Sequence, residues 1–202
     1  METTNEVLNN NTPTPPEKPE SSSFWKEIFK LFILSILIVI PFRLFIAQPF
    51  IVDGASMSPT FETGNYLIID EISYRFSTPP RGSVLVFKYP KDTSKYFIKR
   101  VIGLPGETVQ IKDGKVTIIS NEHPDGLVLE ESYVKKDKIE TLNYTLGEGE
   151  YFVMGDNRAG SADSRLWGPV PEEDIIGRPV IRFLPPTILP GDVSHFLEKT
   201  TN

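Results

Sequence analysis

The sequence predicts an all-β domain, a coiled antiparallel sheet or partly closed barrel-like fold, preceded by a single N-terminal transmembrane helix. Short runs rich in Val, Ile, Tyr and Phe recur after Gln48, most of them bounded by Gly, Pro, Asn or Asp, as strands joined by turns are. No long helical period appears in that part. Ahead of it, Leu31 to Phe42 hold one polar residue, Ser35.

Residues 1–23 are rich in Asn, Thr, Pro, Glu and Ser and lack apolar periodicity, which predicts a disordered tail. Residues 24–47 form the anchor. The stretch 24–41 spans roughly 27 Å at 1.5 Å per helical residue, close to the ~30 Å hydrocarbon core. A core helix would show a polar face, and this one is apolar all round from 31 to 42. A cleaved signal peptide would need small residues spaced A-x-A, but Phe45 stands two before Ala47. Lys18, Lys26 and Lys30 precede the span and Arg43 follows it. That asymmetry predicts a single-pass plasma-membrane protein, the tail cytoplasmic and residues 48–202 outside.

Residues 48–184 form the β domain. Its strand-like runs are 66–70, 84–88, 97–102, 108–112, 115–119, 151–154 and 179–183, with a further apolar strand at 50–54. Asp113-Gly114 between two runs predicts a tight hairpin. The stretch 120–148 reads as an irregular, flexible insertion, and 185–202 as a polar C-terminal tail with no second apolar span.

Composition excludes several functions. The formal net charge is −6 over 202 residues, which argues against nucleic acid as a partner. There is no cysteine, hence no disulfide and no thiol chemistry. The two histidines, His123 and His195, lack metal-like neighbours. A histidine-based triad has little to build on.

Three motifs carry chemistry. In GASMSPT (54–60), Ser56 follows two small residues that admit another backbone, and Pro59 fixes the chain beyond it. This suits an exposed nucleophile with backbone N–H groups to hold an oxyanion; it also fits an ordinary Ser-rich turn. Lys99 lies in FIKRVI (97–102), where alternation puts it on one face with Phe97 and Val101. Burial there, with Arg100 adjacent, would depress its pKa and make it a general base; a solvated strand lysine is the alternative. GDNRAGSADSRLWGPVP (155–171) is a long loop in which Ser161 could orient an amine, and Asp163 and Arg165 are spaced to pair.

In order, these motifs resemble the bacterial type I signal peptidases, membrane-bound Ser/Lys peptidases of family S26, over roughly residues 24–184. The resemblance implies that Ser56 is the nucleophile, Lys99 the general base and Ser161 the residue that hydrogen-bonds the lysine. It implies a structural pair in Asp163 and Arg165, and a place for Met57 beside the substrate cleft. The oxyanion hole falls to Gly54 and Ser56. Some members carry a serine at Gly54, so glycine leaves the backbone N–H groups, including that of Ser56. Asn is usual at Gly160 and Asp frequent at Ser83, neither of which does the chemistry. The implied activity is serine endopeptidase cleavage of signal peptides from exported preproteins after small, A-x-A-like residues. The implied partners are those preproteins and the lipid bilayer, with no cofactor and no metal.

Other readings stay in view. A self-cleaving Ser/Lys repressor would need a DNA-binding helix pair and a basic face. A catalytically silent, membrane-anchored β-domain that binds partners would be supported by loss of Ser56 or Lys99, and both are present. An aspartic protease would use Asp156 or Asp163.

Overall fold

A computed structural model of the chain describes residues 21–45, 47–135, 139–183 and 186–189. Of the tail expected over 1–23, residues 1–20 lie outside the described residues, as does the end of the chain from 190, while Ser21–Ser23 fold into a helix in place of the disorder expected there. The chain divides into two compact units, Met1–Ile40 and Pro41–Asn202.

The first unit is built on helix α1 (Ser21–Phe45). Its described side chains, 24–40, are all exposed, Leu31 to Ile40 with only Ser35 polar among them. They include Lys26, Glu27 and Lys30, and among the described residues no helix is long and apolar enough to cross a membrane.

The second unit is β-rich. Strands β1 (Ala47–Ile51), β2 (Tyr66–Asp70), β3 (Val84–Tyr89) and β4 (Asp92–Gly103) come first, with a short helix α2 (Ser73–Phe76) after β2. A second group follows: β5 (Thr108–Lys112), β6 (Lys115–Ile119), β7 (Leu127–Val128) and β8 (Leu142–Thr145). Then come β9 (Glu150–Met154), α3 (Ser164–Trp167), β10 (Val170–Pro171), β11 (Ile175–Phe183) and β12 (Pro186–Ile188).

Two antiparallel sheets result. The larger runs β1-β2-β11-β3-β4-β9-β10, with β12 also on β11; the smaller runs β7-β6-β5-β8. The partly closed barrel is not formed. Among the described residues β1 pairs only with β2 and the two-residue β10 only with β9, so the larger sheet stays open. Closure would need a continuous ladder between those ends.

The elements follow from sequence chemistry. Asp113 and Gly114 both have positive φ, +51° and +81°, the backbone of a two-residue hairpin turn, and they set the β5–β6 register with Lys112 opposite Lys115. β5 and β6 bury alternate residues, Val109 and Ile111 against Val116 and Ile118. β9 instead buries Tyr151 to Met154 on both faces, because it lies inside its sheet and also packs on the smaller one. At Gly103, where β4 leads toward β5, a Cβ would lie 2.4 Å from Val109 Cγ2, so the two sheets meet there only because the side chain is absent.

The stretch 120–148 is not the irregular insertion expected from its polarity. It supplies β7 and β8, and Leu127, Leu129 and Leu146 enter the core with Ile102, Phe152 and Met154. The last part of the chain also differs from expectation, because Pro186–Ile188 adds a strand to β11. The strand expected at 50–54 lies earlier, at Ala47–Ile51.

Candidate active site

Ser56 sits in the connection between β1 and β2. That connection is closed by Val52 N–H donating to Asn65 O and Gly64 N–H to Val52 O, both 2.9 Å. Gly54 takes φ +101°, a left-handed conformation that glycine adopts without strain. Met57 and Phe61 plunge into the core beneath it, with Val52, Leu67, Ile69 and Val86. Each such fully buried side chain is worth about 2 kcal/mol of transfer free energy. With Met57 pinned inward, Ser56 is left half-buried at the surface of the turn. From the opposite side Asn157 donates its N–H to Ser56 O and its Nδ2 to Ala55 O, both 3.0 Å.

Lys99 lies on β4 opposite Leu85 of β3. It is only 4% exposed. Its Nζ is 2.8 Å from Ser56 Oγ, donates to Ile98 O at 2.9 Å and stands 5.3 Å from the centroid of the Phe97 ring. Burial pushes the amine down to about 8, and the charges of Asp163 and Asp156 oppose the fall. The expected help from Arg100 is absent. Its guanidinium is held by Asp156 at 2.8 and 2.7 Å and by Gly82 O, so its charge is matched locally.

Beside the pair lies a cleft of about 310 Å³. Phe50 to Ser56 line it from the β1 side and Tyr96 to Lys99 from β4, with Leu67, Val86, Gly160 and Ala162 completing it. Met57 does not line the cleft; it is fully buried in the core. The backbone N–H of Gly54 donates to Thr63 Oγ1 at 3.2 Å, so in this conformation it is engaged away from any oxyanion.

The loop after β9 closes the site. Asp163, fully buried, accepts from Gly155 N–H at 3.0 Å and from Arg165 Nε and Nη2 at 2.7 and 2.8 Å. Burial alone would raise its pKa, but the bonds and charge of Arg165 bring it below the usual carboxylate value. Asp163 also caps α3 by accepting from Arg165 N–H. Ser161 Oγ is buried, forms no hydrogen bond and does not bond Lys99. It lies near enough to Asp163 to favour that anion, although the two fall short of hydrogen-bond geometry. With Asp156 and Asp163 each locked to its own arginine, no carboxylate pair shares a proton as an aspartic protease requires. Among the described residues no cluster of His, Asp or Glu is placed to hold a metal ion.

A family model described as signal peptidase, peptidase S26, matches residues 25–184. The chain belongs to that family. A signal peptidase I of Leptolyngbya laminosa is 40% identical over 190 residues, covering 85% of this chain and 88% of that protein. A probable signal peptidase I-1 of Synechocystis sp. is 37% identical over 179 residues, covering 83% of this chain and 86% of that protein. Signal peptidase I V of Bacillus subtilis is 35% identical, covering 76% and 94%. Membership of the S26 family makes the activity that of a type I signal peptidase, a serine endopeptidase.

Sequence reasoning missed three residues that shape the site. Gly155 is one: a Cβ there would lie 2.3 Å from Ser161 Oγ and 2.4 Å from Ser56 O, so glycine lets the loop press against the serine backbone. Asn157 holds that backbone, and Thr60 Oγ1 donates to Asp156 Oδ2 at 2.5 Å. The GDN tripeptide reads as a loop, but nothing in its spacing says that it faces GASMSPT.

Proposed function

We propose that this chain removes N-terminal signal peptides from exported preproteins, cutting after small residues in an A-x-A-like pattern, with Ser56 as nucleophile and Lys99 as general base. The observation that carries the reading is the 2.8 Å separation of Lys99 Nζ and Ser56 Oγ at the edge of a cleft, with the amine buried.

The chemistry follows from those atoms. A neutral Lys99 accepts the Ser56 proton as Oγ attacks the scissile carbonyl, and the resulting ammonium gives that proton to the leaving amine. Lys99 then takes a proton from the water that attacks the acyl-enzyme and returns it to Ser56 Oγ as the acyl C–O bond breaks. The oxyanion falls to the Ser56 N–H, while Gly54 N–H joins only if it leaves Thr63. Asp163 and Arg165 hold the loop that closes the site, and in this reading Ser161 orients the Lys99 amine.

The cleft suits an extended peptide. Among the described residues β4 pairs with β9 only from Arg100 onward, so its edge at 92–99 is open beside the cleft. A substrate strand can add there by main-chain hydrogen bonds, with alternate side chains entering the cleft. A helix with apolar, exposed side chains from 31 to 40 supports an anchor, since such a surface needs an apolar solvent. The reading places residues 1–23 in the cytoplasm and the catalytic domain outside.

The test is to incubate the detergent-solubilised enzyme with a preprotein and sequence the new N-terminus. Cleavage after a small residue, lost in Ser56→Ala and in Lys99→Ala, is the expected result. Processing by either variant above a few per cent of wild type would overturn the assignment of that residue.

A further inference from the structure

We infer that Glu131 and Tyr133, from the stretch that the sequence reads as a flexible insertion, are positioning residues for Ser56 and Lys99; the inference rests on those two forming the catalytic pair. Neither side chain touches the cleft. Both act through the arginines around Asn157.

Glu131 and Arg158 form a buried pair, with side chains 9% and 2% exposed. Arg158 Nη1 donates to Glu131 Oε2 at 2.7 Å, and Nη2 donates to Oε1. Tyr133 O–H donates to Glu131 Oε1 at 2.8 Å. Burial pushes the Tyr133 hydroxyl pKa far up, so it stays a donor across working pH. The Tyr133 ring lies over the Arg100 guanidinium, whose Cζ is 4.1 Å from the ring centroid. Arg100 in turn holds Asp156 with two bonds.

Asn157 stands between those two anchored neighbours. Residue 156 is fixed through Arg100, which the Tyr133 ring covers, and residue 158 through Glu131. The Arg158 carbonyl is fixed as well, by Arg165 Nη2 at 2.8 Å. Asn157 therefore has little freedom, and it is the residue that grips the main chain at Ala55 and Ser56. Lys99 is the neighbour of Arg100 on β4. Displacing residues 131–133 thus loosens both partners of the pair at once.

Stability alone does not account for this arrangement. A buried ion pair is weak evidence for stability, because apolar residues of similar volume often serve as well. A carboxylate that binds one arginine, together with a ring that covers another, fixes relative position in a way that apolar packing does not. A shift of about 1 Å at a nucleophile can cost on the order of a hundredfold in rate.

The experiment is steady-state kinetics of the full chain in detergent with a preprotein substrate. Glu131→Gln should lower kcat about tenfold with KM within about twofold, since alignment fails and binding does not. The double variant Glu131→Gln/Arg158→Gln removes both charges and should recover melting temperature but not kcat. A kcat that returns together with melting temperature, or an unchanged kcat in Glu131→Gln, overturns the inference. If Glu131→Gln does not fold, Tyr133→Phe decides, because it leaves every charge paired. A kcat about threefold lower at unchanged KM supports the inference, and an unchanged kcat overturns it. Inactive Ser56→Ala and Lys99→Ala beside a fully active Glu131→Gln would sink this inference alone. Activity retained in the first two would sink the reading beneath it.

Discussion

Lys99 should make the folded enzyme less stable near neutral pH than at alkaline pH, and Lys99→Met should remove that dependence. Burial pushes the amine down to about 8 in the folded chain, from the ordinary lysine value of 10.5. Below both values it is protonated in either state, so folding forces a charge into a site that disfavours it. At 1.36 kcal/mol per pKa unit the cost is about 3 kcal/mol. Between the two values the unfolded chain binds more protons than the folded one, so stability rises with pH. Worked from these numbers, wild type should gain about 2 kcal/mol between pH 7 and pH 9.5 through this residue alone. Below pH 7 Lys99 should add no further loss, because both states are already charged. Methionine keeps the length and drops the charge. It also drops the bonds to Ile98 O and Ser56 Oγ, about 1 kcal/mol each, but that loss is the same at every pH. The assay is urea unfolding of both proteins in detergent, followed by tryptophan fluorescence, at several pH values. The quantity to plot is the difference between them, in which all other titrating groups cancel. A difference that stays flat across this range would mean that Lys99 is not held neutral, and the base assignment would fail with it.

The remaining predictions concern activity and the loop. The profile of kcat/KM should fall tenfold per pH unit below about 8 on one proton, reaching about a hundredth of its plateau at pH 6; an unshifted acid limb in an active Lys99→His would assign the titration elsewhere. Ser161→Ala removes a buried hydroxyl that has no hydrogen bond, so melting should hold or rise while kcat drops several-fold; unchanged kcat would release Ser161 from orienting the amine. Gly155→Ala forces a methyl against Ser56 O and should cost on the order of a hundredfold in kcat, whereas near-normal rates would show that the loop relaxes freely. Asp163→Asn leaves Arg165 short of a buried charge partner and should lower stability by about 3 kcal/mol in thermal unfolding; an unmoved melting temperature with collapsed kcat would make Asp163 part of the chemistry.

The central strands were legible because local pattern and final environment agree there. Tyr66–Asp70, Thr108–Lys112 and Lys115–Ile119 carry β-branched and aromatic residues between turn signals, and they fold as those runs suggest. The pairing of GASMSPT with Lys99 was legible from motif order, which no local pattern supplies. Met57 was misplaced because a loop has no period, and nothing in the heptapeptide says which neighbour of the serine turns inward. The stretch 120–148 was misread because its strands are two and four residues long. Its polar residues look solvated in sequence, yet Glu131 finds Arg158 and Glu140 finds Arg165 across the fold. Such pairs satisfy charges over distances that composition cannot report. The influence assigned to Arg100 failed for the same reason: its neighbour in sequence is Lys99, but its neighbour in charge is Asp156.

The open edge of β4 has a consequence for the protein when it is idle. A strand edge that no neighbouring strand covers can take up an extended chain, including another copy of the enzyme or an unfolded passer-by. The edge carries its own deterrent: Asp92 and Lys95 form an exposed ion pair there, and charges on an edge discourage stacking of one sheet on another. Neutralising them together, as in Asp92→Asn/Lys95→Gln, would leave the chemistry in place and make concentrated enzyme sticky. The deterrent is the cost of stripping water from that exposed ion pair, and it falls outside the cleft-lining stretch of β4, Tyr96 to Lys99.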